Sequence, residues 1–437
     1  MNHIVLLSGG MGQRLWPLST LTRPKQYIRF LTDEQTGKPC SMVQRVWKQL
    51  AQADLAENSV ICAGMRQQEI LRGQLGSVGI ALEPEGRDTF AAVLLSCSYL
   101  KSCKGASDAD TVCFMPVDPY TEQSYFELLK RMPGVLSESG AEIVLMGIRP
   151  RFASGSYGYL VPGRRGKGYL VVDSFAEKPG VKEAERLIAL GALWNGGVFC
   201  LRVGKAMGLL EDRNLPTDYD SLCREYSSLP RDSFDRAVVE KCSSLAAVKY
   251  SGMWKDIGTW DAASKVLDGG TRTNCVEDAS CRNFCAVNET GIPLVAVGVK
   301  NLIVAASSDG ILVADAGMDL HLKQIISGLE ARPSFEEKSW GTSTVLDFFR
   351  EGGAEYIVRE LRMHPGMELN SPGANSTGSV SVLKGGGFVS SHTGELELLP
   401  GACFPVPAGE PFLLRAGKAG LVLVLTQKGQ PGSFSCQ

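Results

Sequence analysis

The stretch Ile4-Val5-Leu6-Leu7-Ser8-Gly9-Gly10-Met11-Gly12-Gln13-Arg14 decides the fold class. An unbroken apolar run ending on glycines reads as a strand buried on both faces, as in a parallel sheet. It empties into a turn whose backbone N–H groups can point at phosphate oxygens with no Cβ in the way. The turn is not a P-loop, because no Gly-Lys-Ser/Thr follows. It is not a dinucleotide fingerprint either, since GxGxxG would need glycine where Leu15 stands. Cations follow instead: Arg14, then Arg23-Pro24-Lys25-Gln26. A guanidinium fork and an ammonium point charge close behind such a turn suit a polyphosphate. The plain rival is a surface turn with solvated charges.

Working outward, Ser59–Ala63, Thr111–Pro116 and Glu142–Ile148 have the composition of further buried strands. Helical patterns lie between them at Met42–Gln52, Gln67–Leu75, Thr89–Lys101 and Tyr125–Met132. A strand at Tyr169–Glu177, a helix at Val181–Leu190 and a strand at Gly197–Arg202 follow. Strands alternating with helices predict a Rossmann-like α/β mixed sheet with helices on both faces. Near Gly269-Gly270 the character changes to short strands and turns, including Ile292–Val299, Leu302–Ala306 and Gly310–Ala314, and a helix is expected at Met318–Leu329. A hexad-like rhythm over 274–301 is too weak to define a repeat. Beyond Arg332-Pro333, glycine turns between short strands predict a small β-barrel or sandwich. The expected domains are therefore 1–268, a β-rich connector over 269–332, and 333–437.

The chain has 437 residues, enough for two to three domains at about 150 residues each. Its 45 Lys+Arg against 47 Asp+Glu leave a net charge of −2, which argues against a nucleic-acid binder that works by counterion release. No apolar run of about 18 residues suggests a membrane helix, and no basic n-region or cleavage site opens the chain. We expect a cytoplasmic protein. Thirteen cysteines, an odd number, fit reduced thiols. Cys275, Cys281 and Cys285 lack the paired CxxC spacing of a zinc site and read as small buried hydrophobes.

Further motifs appear in order: Glu83-Pro-Glu-Gly-Arg-Asp-Thr89, Met115-Pro-Val-Asp118, Phe175-Ala-Glu-Lys-Pro179, Leu193-Trp-Asn-Gly-Gly197, Ser233-Phe-Asp-Arg-Ala-Val-Val-Glu-Lys241 and Met253-Trp-Lys-Asp-Ile-Gly-Thr-Trp260. With Ser8–Ser19 and Pro24-Lys25-Gln26, this set resembles the mannose-1-phosphate guanylyltransferase family of sugar-1-phosphate nucleotidyltransferases. The resemblance implies that Arg14, Lys25, Asp118 and Asp256 are catalytic. It implies that Ser8, Gly9, Gly10, Gly12, Gln13, Glu83, Gly86, Arg87 and Asp88 bind the nucleotide. Gly158, Glu177, Lys178 and Asn195 would bind the sugar phosphate, and Asp118 and Asp256 would hold Mg²⁺ or Mn²⁺. The implied substrates are GTP and mannose 1-phosphate; no nucleic acid and no membrane is expected as partner, and a homodimer is one open assembly.

The chemistry agrees with that assignment. An anionic phosphate attacking an anionic α-phosphate needs charge neutralisation and in-line alignment more than a general base. Asp118 and Asp256 follow apolar stretches that would deliver them to the carboxyl edge of a sheet, where open α/β folds bind ligands. Each residue keeps a structural rival: Asp118 could cap a turn before Pro119, Asp256 could start a helix, Lys178 could be a solvated loop charge and Asn195 a turn former. Asp235 reads equally well as part of a packed ion-pair network and is left outside the site.

Two departures bear on specificity. Asp88 stands where the family usually has Asn, and Pro119 where it usually has His. A carboxylate lacks the amide's donors, so another base and sugar, such as CTP or UTP with a different hexose 1-phosphate, stays open. A non-catalytic sugar-nucleotide sensor stays open too. The last region, from Glu336-Glu-Lys-Ser-Trp-Gly341 and Met363-His-Pro-Gly366, resembles a C-terminal cupin that in longer family members isomerises mannose 6-phosphate with a bound metal. The family's ligand positions fall here on Ala374, Ser376 and Ser379, which are not metal ligands. A cupin-like module without isomerase activity is expected.

Overall fold

A computed structural model describes residues 1–10, 14–267, 274–316, 322–326, 328–329, 334–371, 373, 375–392, 394–431 and 433–434. Gly12, Gln13 and Ala374 lie outside these residues. Of the helix expected over 318–329, the described part is Leu322–Ile326. The chain forms two compact units, one from residues 1–10, 31–68 and 77–257, the other from 11–30, 69–76 and 258–437.

The first unit is built on the strand that opens the chain, β1 (Asn2–Leu7). Its neighbours are β2 (Ser59–Gly64), β3 (Gly79–Glu83) and β4 (Thr111–Pro116). After a short β5 (Pro119–Thr121) come β6 (Ile143–Ile148), β7 (Tyr159–Arg165), β8 (Leu170–Ala176), β9 (Leu193–Arg202), β10 (Leu245–Tyr250) and a short β11 (Trp254–Asp256). Nine of them make one mixed sheet in the order β3-β2-β1-β4-β9-β6-β10-β8-β7. β1 runs parallel to both β2 and β4, whereas β9 is antiparallel to β4 and β6. β1 is buried from His3 to Leu6 because both of its edges and both faces are covered.

The longest helices of the crossovers are α1 (Met42–Gln52), α2 (Asp88–Lys104) and α3 (Gln123–Ser139). Ser41 and Gln44 close a capping box at the start of α1. Gly105, at φ +68°, ends α2 in the left-handed conformation that glycine adopts without strain. The apolar residues of α2, among them Phe90, Leu94 and Cys97, join Val5, Phe114, Phe199 and Phe234 in one buried core. Within it the Phe199 ring stacks on Phe234 at 4.5 Å and on Phe114 at 5.2 Å.

In the second unit, β12 (Cys275–Glu277), β13 (Arg282–Asn288), β14 (Leu294–Ala296), β15 (Lys300–Ser307) and β16 (Gly310–Asp315) form the connector. β12 pairs in parallel with β14, and β13 with β15. Arg282 faces Lys300 and Phe284 faces Leu302, each eighteen residues on, so the weak rhythm of the sequence is a coiled parallel repeat. Asn283 and Asn301 occupy equivalent corners at φ +48° and +52°, and the Asn283 Nδ2 donates to Asn301 Oδ1 at 3.0 Å. Cys275 and Cys281 pack against the coil interior of Phe284, Ala286 and Ala296.

The region expected to be cupin-like is an eight-stranded antiparallel sheet of β17 (Phe335–Lys338), β18 (Gly341–Glu351), β19 (Ala354–Met363), β20 (Glu368–Ser371), β21 (Ser376–Ser391), β22 (Gly394–Leu398), β23 (Cys403–Val406) and β24 (Phe412–Gly429). They run in the order β17-β18-β19-β24-β21-β22, with β20 on β24 and β23 on β21. Leu361, Val380, Leu398, Leu414 and Leu423 lie in its core. Ser376 accepts from Gln427 at 2.9 Å and Ser379 bonds Thr426 at 2.8 Å, so both hydroxyls are spent within the sheet.

Candidate active site

The parallel strands β1, β3 and β4 deliver Ser8–Gly10, Glu83–Asp88 and Asp118 at their carboxyl ends, on one edge of the sheet. Ser8 is buried and its N–H donates to the Cys62 carbonyl at 2.8 Å, which continues the pairing of β1 one step past the strand. At Gly9 an added Cβ would lie 2.3 Å from Glu83 Oε2, so glycine here is the condition for that carboxylate's position. Glu83 is 4 % exposed, and its Oε1 accepts from the Tyr226 hydroxyl at 2.7 Å. Burial raises its pKa, against the lowering effect of that hydrogen bond, and Asp88 adds to the rise.

The turn after β3 is held from inside the unit. Arg87 Nε bonds Glu85 at 2.7 Å and its Nη1 donates to the Leu229 carbonyl, while the Phe234 N–H donates to Thr89 Oγ1 at 2.9 Å. The Arg87 guanidinium therefore ties the turn to the 229–234 segment. Gly86 and Asp88 are exposed. Asp88 has φ +63°, a left-handed conformation that a short polar side chain tolerates, and its carboxylate accepts from the Thr89 N–H. Gly10 is exposed at the end of β1.

The two carboxylates expected to hold the metal are brought into register by a small antiparallel pair. β11 pairs with β5 so that Asp256 faces Pro119, one residue from Asp118. Both aspartates are half-buried and act on the same phenol: burial first, then Asp256 and Asp118, push Tyr157 up to about 12. Tyr157 packs on Trp194 at 4.7 Å and on Trp254 at 5.6 Å, an aromatic wall beside the carboxylates. The Trp254 indole N–H is buried and has no acceptor among the described residues, and it shares a strand face with Asp256. Two carboxylates, with no group of three or more His, Cys, Asp or Glu ligands among the described residues, would suit Mg²⁺, which keeps an open, oxygen-rich sphere completed by water and substrate phosphate. The donor set fits that ion.

Residues around Gly158 gather at the end of β7. A Cβ at Gly158 would come within 2.8 Å of Glu177 Oε2 and 3.3 Å of Asn195 Cβ, so glycine lets the two side chains converge. The Asn195 N–H donates to the Gly158 carbonyl at 2.8 Å, its Nδ2 to Asp235 Oδ1 at 2.7 Å, and its Oδ1 accepts from the Gly197 N–H at 3.2 Å. Its amide is thereby fixed in orientation. Lys178 Nζ sits 2.9 Å from Glu177 Oε1, with the lysine 56 % exposed and the glutamate 9 %. Burial and then Glu177 raise Asp235 to about 6, against Asn195 and Lys178.

Arg14 and Lys25 belong to the second unit. Arg14 is exposed. Lys25 is half-buried and opens a one-turn helix, Lys25–Tyr27.

Tyr157 and Trp254 escaped the sequence reading. Tyr157 adjoins Gly158 and Trp254 lies within the Asp256 motif, so position was available as a signal. Asp235, which the sequence leaves outside the site, accepts from Asn195, forty residues away in the chain.

Residues 3–269 match the nucleotidyl transferase family. The mannose-1-phosphate guanylyltransferase RfbM of Salmonella typhimurium is 28% identical over 399 residues, covering 83% of this chain and 80% of that one. The mannose-1-phosphate guanylyltransferase of Escherichia coli is 25% identical over 466 residues, covering 97% and 95%. A crystal structure from Thermus thermophilus, described as a mannose-1-phosphate geranyltransferase, superposes with a TM-score of 0.62 at 29% identity, covering 76% of this chain and 99% of that one. The family match spans more than half of the chain, which belongs to the nucleotidyl transferase family.

Proposed function

We propose that this chain transfers the guanylyl group of GTP to mannose 1-phosphate, giving GDP-mannose and pyrophosphate, as a cytoplasmic homodimer with the division of domains expected from sequence. A phosphate oxygen of the sugar phosphate attacks the α-phosphorus, and the bond to the β-phosphate oxygen breaks. The nucleophile is already ionised, so no proton need be removed. The observation that carries this reading is the register of β5 and β11, which sets Asp256 against Pro119 beside Asp118. A Mg²⁺ held by these two carboxylates would supply neutralisation of the triphosphate charge.

This chain's other residues divide the work. Arg14 and Lys25 would hold the triphosphate and stabilise the departing pyrophosphate. Ser8, Gly9, Gly10, Gly12 and Gln13 would supply backbone and side-chain donors, and Glu83, Gly86, Arg87 and Asp88 would frame the base. Lys178, exposed and paired with Glu177, would exchange that carboxylate for the sugar phosphate. Glu177 and the oriented amide of Asn195 would bond the sugar hydroxyls. The guanine preference is supported by the named activities of the relatives. The test is pyrophosphate release from four NTPs against mannose-, glucose-, galactose- and fucose-1-phosphate. GTP with mannose 1-phosphate is expected to turn over fastest; a faster pair would reassign base or sugar, and no turnover with any pair would favour a sensor.

A further inference from the structure

We infer that Glu337, on the first strand of the C-terminal antiparallel sheet, is a positioning residue for the Lys25 segment. The inference rests on the catalytic reading of Lys25 given above. All of the groups involved lie within the second unit. Segment 22–29 is anchored by residues some three hundred positions further along the chain. Thr22 Oγ1 donates to the Phe335 carbonyl at 2.9 Å, and the Arg23 guanidinium lies over the Phe335 ring at 4.8 Å. Arg23 also reaches the Leu18 carbonyl at 3.0 Å and Glu289.

Glu337 anchors the far end of the same segment. Its Oε1 pairs with Arg29 Nη2 at 2.6 Å, and its Oε2 accepts from Gln74 Nε2 at 3.3 Å. The same Gln74 nitrogen donates to the Tyr27 carbonyl at 2.9 Å, the last residue of the one-turn helix that Lys25 begins. Glu337 thus holds Arg29 directly and Tyr27 through Gln74. Its side chain is 7 % exposed, whereas Arg29 is 40 % exposed. A carboxylate that deep persists only when paired and hydrogen-bonded, so its partners are held in turn.

The close packing of this junction extends to backbone. At Gly73 a Cβ would lie 2.9 Å from the Lys338 carbonyl, so glycine is what admits β17 against the segment that carries Gln74. Ser339 Oγ also bonds Glu69 on that segment. The first strand of this sheet therefore acts as a brace behind the triphosphate-binding lysine, a task that requires none of the metal chemistry of a cupin.

The test is a double-mutant cycle in the full chain. Glu337→Ala is expected to lower kcat/KM for GTP by about tenfold to a hundredfold, the scale on which a displaced catalytic group costs rate. Glu337→Gln, which keeps an acceptor for Gln74, should retain most of the activity. In a Lys25→Ala background, Glu337→Ala should add less than about twofold, because a residue acting through Lys25 has nothing left to position. A normal kcat/KM in Glu337→Ala, or full additivity with Lys25→Ala, would overturn the inference. Amide hydrogen exchange separates it from the catalytic reading: Tyr27 and Ile28 should exchange faster in Glu337→Ala whatever the substrate, and unchanged exchange would overturn it. Should Glu337→Ala fail to fold, Gln74→Ala removes the link from Glu337 to the Tyr27 carbonyl and carries the same expectations.

Discussion

Single side chains decide the chemistry at the sheet edge. Asp256→Asn keeps the shape of the β5–β11 pair and removes one of two charges beside Tyr157. Turnover should fall by at least about a hundredfold, the usual cost of removing a group that stabilises transition-state charge. Thermal melting should be unchanged; near-normal turnover would end the two-carboxylate assignment. Asp235 permits a pH prediction. Its carboxyl is raised to about 6 by burial and by Glu177, so the folded chain keeps a proton that the unfolded chain releases nearer the ordinary carboxylate value. Stability contributed by this group is present at low pH and is lost as pH rises towards and through about 6. Asp235→Asn retains an oxygen acceptor for the Asn195 amide and removes the titration. The variant should melt above the parent at pH 7, with the gap closing near pH 4. A gap of equal size at both pH values would show that charge is not the cause.

Elements show where local propensity yields to burial. Sequence ends the helix of 125–132 at Pro133, yet α3 runs to Ser139. Phe126, Leu129, Met132, Val135 and Leu136 form a continuous buried face, and that burial outweighs the lost i→i−4 hydrogen bond, a cost of about 3 kcal/mol. Pro133→Ala restores the donor and gives up some buried ring contact. It should raise Tm by roughly 2–4 °C, which corresponds to about 1 kcal/mol for a unit of this size; a fall in Tm would mean that the ring's packing dominates. The β12–β16 coil shows the opposite failure. Its repeat is held by backbone ladders and by paired Asn corners, which leave only a faint apolar period to read. The proposed metal site lies at this scale as well, because Asp256 is set against Pro119, next to Asp118, only by the register of β11 on β5.

For the whole molecule, near-neutral charge is compatible with a doubly anionic substrate pair, because the proposed site would concentrate binding in a few cations and carboxylates. Ligand linkage tests this directly. Mg²⁺ and GTP added to a hundredfold excess over Kd should stabilise the protein by about 2.7 kcal/mol. The shift should shrink with EDTA and in Asp256→Asn; an equal shift in all three conditions would mean that GTP binds without these carboxylates. The two units are also interleaved in sequence. Residues 11–30 follow β1 directly but pack with the connector and the C-terminal sheet, through Ser307 Oγ on the Pro17 carbonyl at 3.0 Å and Trp260 Nε1 on the Trp16 carbonyl at 2.9 Å.

Sequence alone determined the alternating α/β pattern, the strand limits of Thr111–Pro116, the helix of Met42–Gln52 and the motifs that carry Glu83, Asp118, Glu177, Asn195 and Asp256. These are local facts: burial on both faces demands apolar runs, and a capping box or a glycine turn declares itself within a few residues. Only tertiary structure decided which distant groups meet. Asp235 finds Asn195, Tyr226 finds Glu83, and Glu337 finds Arg29 and Gln74. Such buried polar pairs carry no periodicity, and the need to satisfy a desolvated charge specifies that a partner exist, not where in the chain it lies.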